Sequence, residues 1–281
     1  MSNIINAIIN LVTDPKVQLR EYSAGHNRAN DMGKGLEEYI KDLFAGTVNE
    51  TNEQTRNVAL SNVFSYLGNQ NNPPDAMLRG GDAIEVKKIE SNDASLALNS
   101  SYPKAKLYSD NPMIKRACRE CEKWSVKDMI YAVGIVDDAK ISSLVFVYGD
   151  DYCAEKEVYE QIKSVIKDGV QQIPNVQFSE TKELGRVNRV DLLGITNLRV
   201  RGMWEIQNPF CVFDYIFERN RACKFNFMCI INEDKWKTFG NTVDLLALLD
   251  RIDGLSITDK KIKSPNNPAQ LNDAKLITFV I

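Results

Sequence analysis

Apolar side chains recur along this chain with two periods, and each change of period marks an element. Near the start, Ile4, Ile5, Ile8, Leu11 and Val12 sit among Asn residues at helical spacing. They predict a short amphipathic helix over residues 4 to 12, packed on the body or on a second subunit. A polar stretch with Gly25, His26, Asn27, Arg28 and Asn30 follows. Met32, Leu36, Tyr39, Ile40, Leu43 and Phe44 then return every three or four residues, which predicts a helix over about 30 to 45. Glu37 lies at the edge of its apolar stripe, whereas Glu38 points away. Another helix is expected over 53 to 67. The Asn-rich stretch 69 to 72 and Pro73-Pro74 end it and start an extended segment.

The period then changes to two. Residues 83 to 89 alternate as a strand does, and Gly80-Gly81 folds them back on residues from 75 onward as a hairpin. Residues 113 to 124 read as helical. The apolar runs 129 to 136 and 144 to 148 suit central strands. Residues 154 to 167 have helical spacing, with Val158, Ile162, Val165 and Ile166 expected to face inward. Strand-like pieces follow near 186 to 193, 196 to 206 and 225 to 231. Residues 264 to 270 form a Pro/Asn-rich turn before a last strand at 276 to 281. This order gives an α/β fold, a mixed central sheet flanked by helices. No internal repeat or low-complexity linker divides residues 1 to 281, so a single domain is expected.

Composition narrows the classes. A chain of 281 residues, 43% hydrophobic and 26% charged, is that of an ordinary globular protein. No apolar run is long enough to span a bilayer, and the start has no basic leader, so a cytoplasmic protein without a signal peptide is expected. The six Cys residues are then reduced thiols. Cys118 and Cys121 form a lone CxxC without the second pair a zinc site wants. The net charge of −3 excludes a general polyanion binder, so any nucleic-acid contact must concentrate its basic groups locally. His26 is the single His, which excludes HExxH proteases and two-His phosphodiesterase sites. No GxxxxGK[ST] loop is present to bind ATP phosphates.

The chemistry concentrates at 72 to 89. Alternation puts Ile84 and Val86 on one face of the strand and Glu85 and Lys87 on the other. A half-buried acid and amine side by side are costly unless something neutralises them. A divalent metal and a nucleic-acid phosphate would do so, with Asp75 and Glu85 holding the metal and Lys87 orienting or deprotonating an attacking water. The plainer alternative is a solvated strand face with a surface ion pair. One geometric condition separates the two. A symmetric two-residue turn at Gly80-Gly81 would set Asp75 opposite Val86, away from Glu85; a shared metal needs an odd-length loop or a bulge. Glu37 is a candidate outer carboxylate, or a solvated helix residue. Asp82 is a substitute ligand, or a cap of the hairpin turn.

Asp75, Glu85 and Lys87 occupy the three places of the PD-(D/E)XK motif of metal-dependent nucleases. The words NPPDAML, GDAIEVKKIES, ALNSSYPKAKL, ETKELGRVNRVD and LRVRGMW together resemble the NgoPII-type type II restriction endonucleases. The likeness runs from about the first helix to the C-terminus. It implies a restriction-endonuclease-like core over about 30 to 170, with DNA recognition and the C-terminal part in about 171 to 281. It also implies Mg²⁺-dependent cleavage of both strands of double-stranded DNA at a short palindrome, GGCC, leaving 5′-phosphate ends. A homodimer and a partner DNA methyltransferase are implied in the same way. Two alternatives stay open from the residues alone: a PD-(D/E)XK repair or junction-resolving nuclease, and a DNA-binding protein without catalysis.

Basic groups are densest at Arg186, Asn188, Arg189 and Asp191, and at Arg199 and Arg201. Alternation puts Arg199 and Arg201 on one face, and Arg186 and Asn188 on another. Arg suits guanine, Asn adenine and Asp the cytosine amino group, so this mixture is a candidate for reading G·C pairs. Lys104 and Lys106 are candidates for a phosphate clamp. Asn27 and Arg28 are candidates for DNA contact, or for an exposed loop and helix cap. Trp124, Trp204, Trp236, Phe225 and Phe227 are expected in the core.

Overall fold

The computed structural model describes residues 2–19, 28–69, 72–91 and 93–281. Three helices come first: α1 (Ile4–Thr13), α2 (Arg28–Ala45) and α3 (Glu53–Val63). Asn3 caps α1, accepting from the Ile5 and Asn6 amides, and Asn6 returns a bond to the Asn3 amide. Its apolar residues are buried, so α1 packs on the body. α3 stops at Val63 rather than near 67. Phe64 turns into the core, and the chain continues as β1 (Phe64–Asn69).

β1 pairs antiparallel with β2 (Asn72–Leu78), and β2 with β3 (Ala83–Ile89). The short strands β4 (Leu96–Asn99) and β5 (Lys106–Tyr108) and helix α4 (Arg116–Glu120) come next. α4 is much shorter than the helix expected over 113 to 124. The Cys118 carbonyl, which a longer helix would use internally, accepts instead from Cys121 Sγ and Trp124 Nε1. Then come the long antiparallel strands β6 (Val126–Asp137) and β7 (Lys140–Tyr148), followed by helices α5 (Gly149–Tyr152) and α6 (Lys156–Gln171).

Strands β8 (Gln177–Phe178), β9 (Gly185–Asn188) and β10 (Leu198–Val200) form a small sheet of their own, and β11 (Trp204–Ile206) pairs with β4. The chain finishes with α7 (Pro209–Val212), β12 (Asn226–Asn232), α8 (Glu233–Lys237), α9 (Thr242–Leu246), β13 (Leu255–Lys263) and β14 (Leu271–Val280).

Among the described residues the main sheet has nine strands, in the order β1-β2-β3-β6-β7-β12-β14-β13, with β5 also on β6. β3 runs parallel to β6 and β12 parallel to β7; the other pairs are antiparallel. The expected mixed sheet flanked by helices is therefore the fold. Each face carries its own core. One holds Ile84, Ala132, Phe146, Phe227 and Ile277 beneath α1 and α2. The other holds Ala83, Met129, Tyr131, Val147 and Met228 with Leu107 and Phe213.

α6 departs from expectation. Val158, Ile162, Val165 and Ile166 face solvent, not the core. The helix is docked by other residues: Tyr159 packs on Tyr102 and Trp204, and Val170 lies over Gly185.

β1 also fits closely against the segment that leads to Asp75. A Cβ on Gly68 would lie 2.2 Å from the Pro74 carbonyl oxygen. Gly68→Ala should therefore displace β1 or β2 at a cost of about 1–3 kcal/mol. A lowered urea midpoint with an unchanged slope checks this.

Candidate active site

The site starts at the turn between β2 and β3. The Leu78 amide donates to the Asp82 carbonyl at 2.9 Å across Arg79, Gly80 and Gly81. Met77 faces Ala83, and Ala76 faces Ile84. The loop is odd in length, so Asp75 falls opposite Glu85 and on its face, as a shared metal requires. Gly80 takes a φ of +64°, which glycine adopts without strain. Lys127 braces the turn, donating to the Leu78 and Gly81 carbonyls and pairing with Glu122 at 2.5 Å, while Glu122 accepts from the Gly80 amide.

Beyond Ala76 the ladder ends. Pro74 and Pro73 have no amide to offer, and the Asp75 side chain bridges to β3 instead, Oδ2 accepting from the Val86 amide at 2.7 Å. Glu85 Oε1 pairs with Lys87 Nζ at 2.7 Å. Glu85 Oε2 is buried without a hydrogen-bond partner. Burial, and then the charge of Glu85, pushes the Asp75 carboxyl well above the ordinary carboxylate range. Burial alone would depress the Lys87 ammonium, but Glu85 and Asp75 outweigh it and its pKa is raised.

Two facing acids, one with an orphaned oxygen, are what a cation resolves. Among the described residues no three His, Cys, Asp or Glu side chains form a metal cluster. Two carboxylates nevertheless suit an ion that keeps waters and takes substrate phosphate oxygens, as Mg²⁺ does. The residues present thus fit such an ion.

Glu37 is bonded to Lys41 at 2.6 Å and stands close enough to raise both Asp75 and Lys87. Glu38 does not simply point away: it accepts from Lys41 at 2.9 Å and from buried Arg56 at 2.6 Å, and Arg56 also donates to Asp42 at 2.7 Å. Asp82, the candidate substitute ligand, is engaged on the other side of the hairpin. It accepts from the Tyr148 hydroxyl and from Lys235, both at 2.8 Å, and so ties the hairpin to β7 and α8.

Lys104 and Lys106, the candidate phosphate clamp, are both engaged within the protein. Lys104 is buried, with Nζ on Ser101 Oγ and the Tyr102 carbonyl. Burial depresses its ammonium, opposed by nearby Glu85. The link is Tyr131, paired with Glu85 on β6, whose hydroxyl accepts from the Lys104 amide. Lys106 is held by Asp128 at 2.7 Å and Asp150 at 2.5 Å.

In the small sheet, Arg186 pairs directly opposite Arg199. Opposed residues of antiparallel strands share a face, so Arg186 and Asn188 lie on the face of Arg199, not on another. Arg199 and Arg201 both bind Glu183, at 2.7 and 2.6 Å. Asn188 bonds Ser179. The Asp191 carboxylate accepts from the Ile195 and Thr196 amides and shapes the loop. Arg189, at φ +52°, begins that loop. Asn27 lies outside the described residues, as does the side chain of Arg28, although its backbone opens α2.

A mixed sheet carrying two acids and a lysine on a hairpin and its strand defines a restriction-endonuclease-like core. The sequence matches the NgoPII restriction endonuclease family over residues 2–263. It is 59% identical over 278 residues to the type II restriction enzyme NgoPII of Neisseria gonorrhoeae, covering 99% of each chain. No solved structure matches it. The chain belongs to the NgoPII restriction endonuclease family, and is thereby a type II restriction endonuclease, a site-specific deoxyribonuclease of a class that generally depends on metal.

The raised Asp75 pKa has a sign that can be checked. A carboxyl raised in the native state contributes stability below the ordinary carboxylate pKa, and this is lost as pH rises through the raised value. Asp75→Asn should therefore melt at least ~2 °C above wild type at neutral pH, the shift about 1 kcal/mol produces in a chain of this size. The advantage should vanish in acid. Adding Mg²⁺ should raise the wild-type Tm and leave that of Asp75→Asn unchanged.

Proposed function

We propose that this enzyme hydrolyses both strands of double-stranded DNA at the palindrome GGCC, using Mg²⁺ and leaving 5′-phosphate and 3′-hydroxyl ends. The observation that carries the proposal is the Asp75–Glu85 pair, with its orphaned oxygen beside Lys87. When bound, the ion supplies a polarised water and stabilises charge developing on phosphorus. Asp75 is oriented by the Val86 amide, and Glu85 by Lys87. Lys87, paired with Glu85, would position the attacking water and exchange a proton with it. Glu37 is the candidate outer carboxylate.

The target sequence rests on the family likeness. A two-fold symmetric target is most simply met by a homodimer, one active site per strand. A cognate DNA methyltransferase would protect host sites in the cytoplasm. Among the described residues no helix is long and apolar enough to cross a membrane. Arg186, Arg199 and Arg201 are the candidate contacts to DNA, with Asn188 and Arg189 beside them.

Plasmid DNA incubated with the protein and Mg²⁺ should give discrete fragments whose ends fall within GGCC; a smear would sink the reading. Asp75→Ala or Glu85→Ala should abolish cutting while binding in Ca²⁺ survives. Lys87→Ala should slow cutting by about 10²- to 10⁴-fold. Lys88→Ala should cut nearly as wild type, because Lys88 lies on the other face and pairs with Glu90 at 2.6 Å. Single-turnover rates decide between the two lysines. Arg186→Ala and Arg199→Ala should each cost about 1–3 kcal/mol on the cognate duplex if they read bases, narrowing its gap from a scrambled one.

A further inference from the structure

The loop from β9 to β10 exposes what a loop usually hides. Leu192 is fully exposed, Leu193 is 82% exposed and Ile195 76%. Isolated exposed aliphatics are ordinary, but a cluster of three within four residues marks a contact surface. The loop is also firmly built. The Gly194 amide donates to the Asp191 carbonyl at 2.8 Å, and the Val190 amide to the Thr196 carbonyl at 2.9 Å. Asp191 accepts from the Thr196 amide at 2.7 Å, and Asn197 from the Arg189 amide at 3.3 Å. The tip is thus held outward in a fixed shape.

Its stem is basic. Residues 181 to 203 contain five Lys or Arg and two acids, in a chain of net charge −3. Both acids are engaged: Glu183 by Arg199 and Arg201, and Asp191 by loop amides.

We propose that this loop inserts its apolar tip, Leu192 and Leu193 foremost, between base pairs of the target duplex, while the positive charge of its stem meets the backbone and base edges alongside. The partner must offer an apolar slot bordered by negative charge. Stacked bases between phosphate backbones have that chemistry, and aliphatic wedges of this kind unstack base steps. A second copy of the chain fits less well, because a two-fold contact through the tip brings its arginines together. Insertion lets the enzyme sense how easily a base step opens, besides whatever base edges it touches. The inference rests on the DNA-cleaving reading above and deepens it.

The test uses GGCC duplexes with pyrrolo-cytosine at each cytosine of the site, or 2-aminopurine at successive flanking positions, bound in Ca²⁺. Wild-type protein should raise the fluorescence severalfold at one position. Leu192→Ala/Leu193→Ala should remove that rise and weaken binding on the order of tenfold. Its salt slope should stay unchanged, since no phosphate contact is lost. Its Tm should match wild type, because neither side chain is buried. Flat wild-type fluorescence at every position, or a rise that the double variant keeps, overturns the proposal. So does a double variant that sediments as monomer where wild type is a dimer, which assigns the tip to a second copy. Cutting of the unmodified GGCC duplex in Mg²⁺ is scored in parallel. Cutting without a fluorescence change overturns insertion alone, whereas no cutting overturns the nuclease reading itself.

Discussion

The count of residues between Leu78 and Asp82 decides which side chains of the hairpin face one another. Three residues turn the chain there, and the odd number brings Asp75 across from Glu85. With one residue fewer, Asp75 would share the face of Val86 and point toward the core beneath α2. The turn is also braced: Lys127 and Glu122 together engage Leu78, Gly80 and Gly81. A buried lysine spent on carbonyl groups is an unusual investment, and here it fixes a register on which two carboxylates depend.

That register carries an electrostatic cost. Asp75 and Glu85 repel one another in a setting that also removes their water, and one Glu85 oxygen is left without a partner. The strand beneath them tolerates this because it belongs to both cores. Ile84 anchors β3 on the side of α1 and α2, and Ala83 and Ile89 anchor it on the other. The parallel ladder to β6 runs its whole length, from Ala83 to Ile89. Packing and backbone hydrogen bonds therefore hold the acids where their own interactions would push them apart.

Much of this was legible in the chain. Alternation over 83 to 89 identified the strand face of Glu85 and Lys87, and the apolar runs at 129 to 136, 144 to 148 and 225 to 231 became β6, β7 and β12. What escaped was set by contacts distant in sequence. The α6 stripe reads as a core face, yet Tyr159 and Val170 dock the helix by other sides. β13 was missed because it is a polar edge strand with three Lys residues, the composition such edges use against unwanted pairing. Lys104 and Lys106 read as free cations, and only the fold brings Tyr131, Asp128 and Asp150 to them. The common face of Arg186 and Arg199 depended on a pairing register that alternation within one strand does not reveal.

Among the described residues, the small sheet of β8, β9 and β10 shares no ladder with the main sheet. It is attached through α6 at one end and through β11, paired with β4, at the other. Substitutions on its open face consequently leave both cores intact. A scaffold divided in this way lets the appended sheet change shape without moving the hairpin that carries Asp75 and Glu85. Either sheet can therefore be rebuilt without disturbing the ladders of the other.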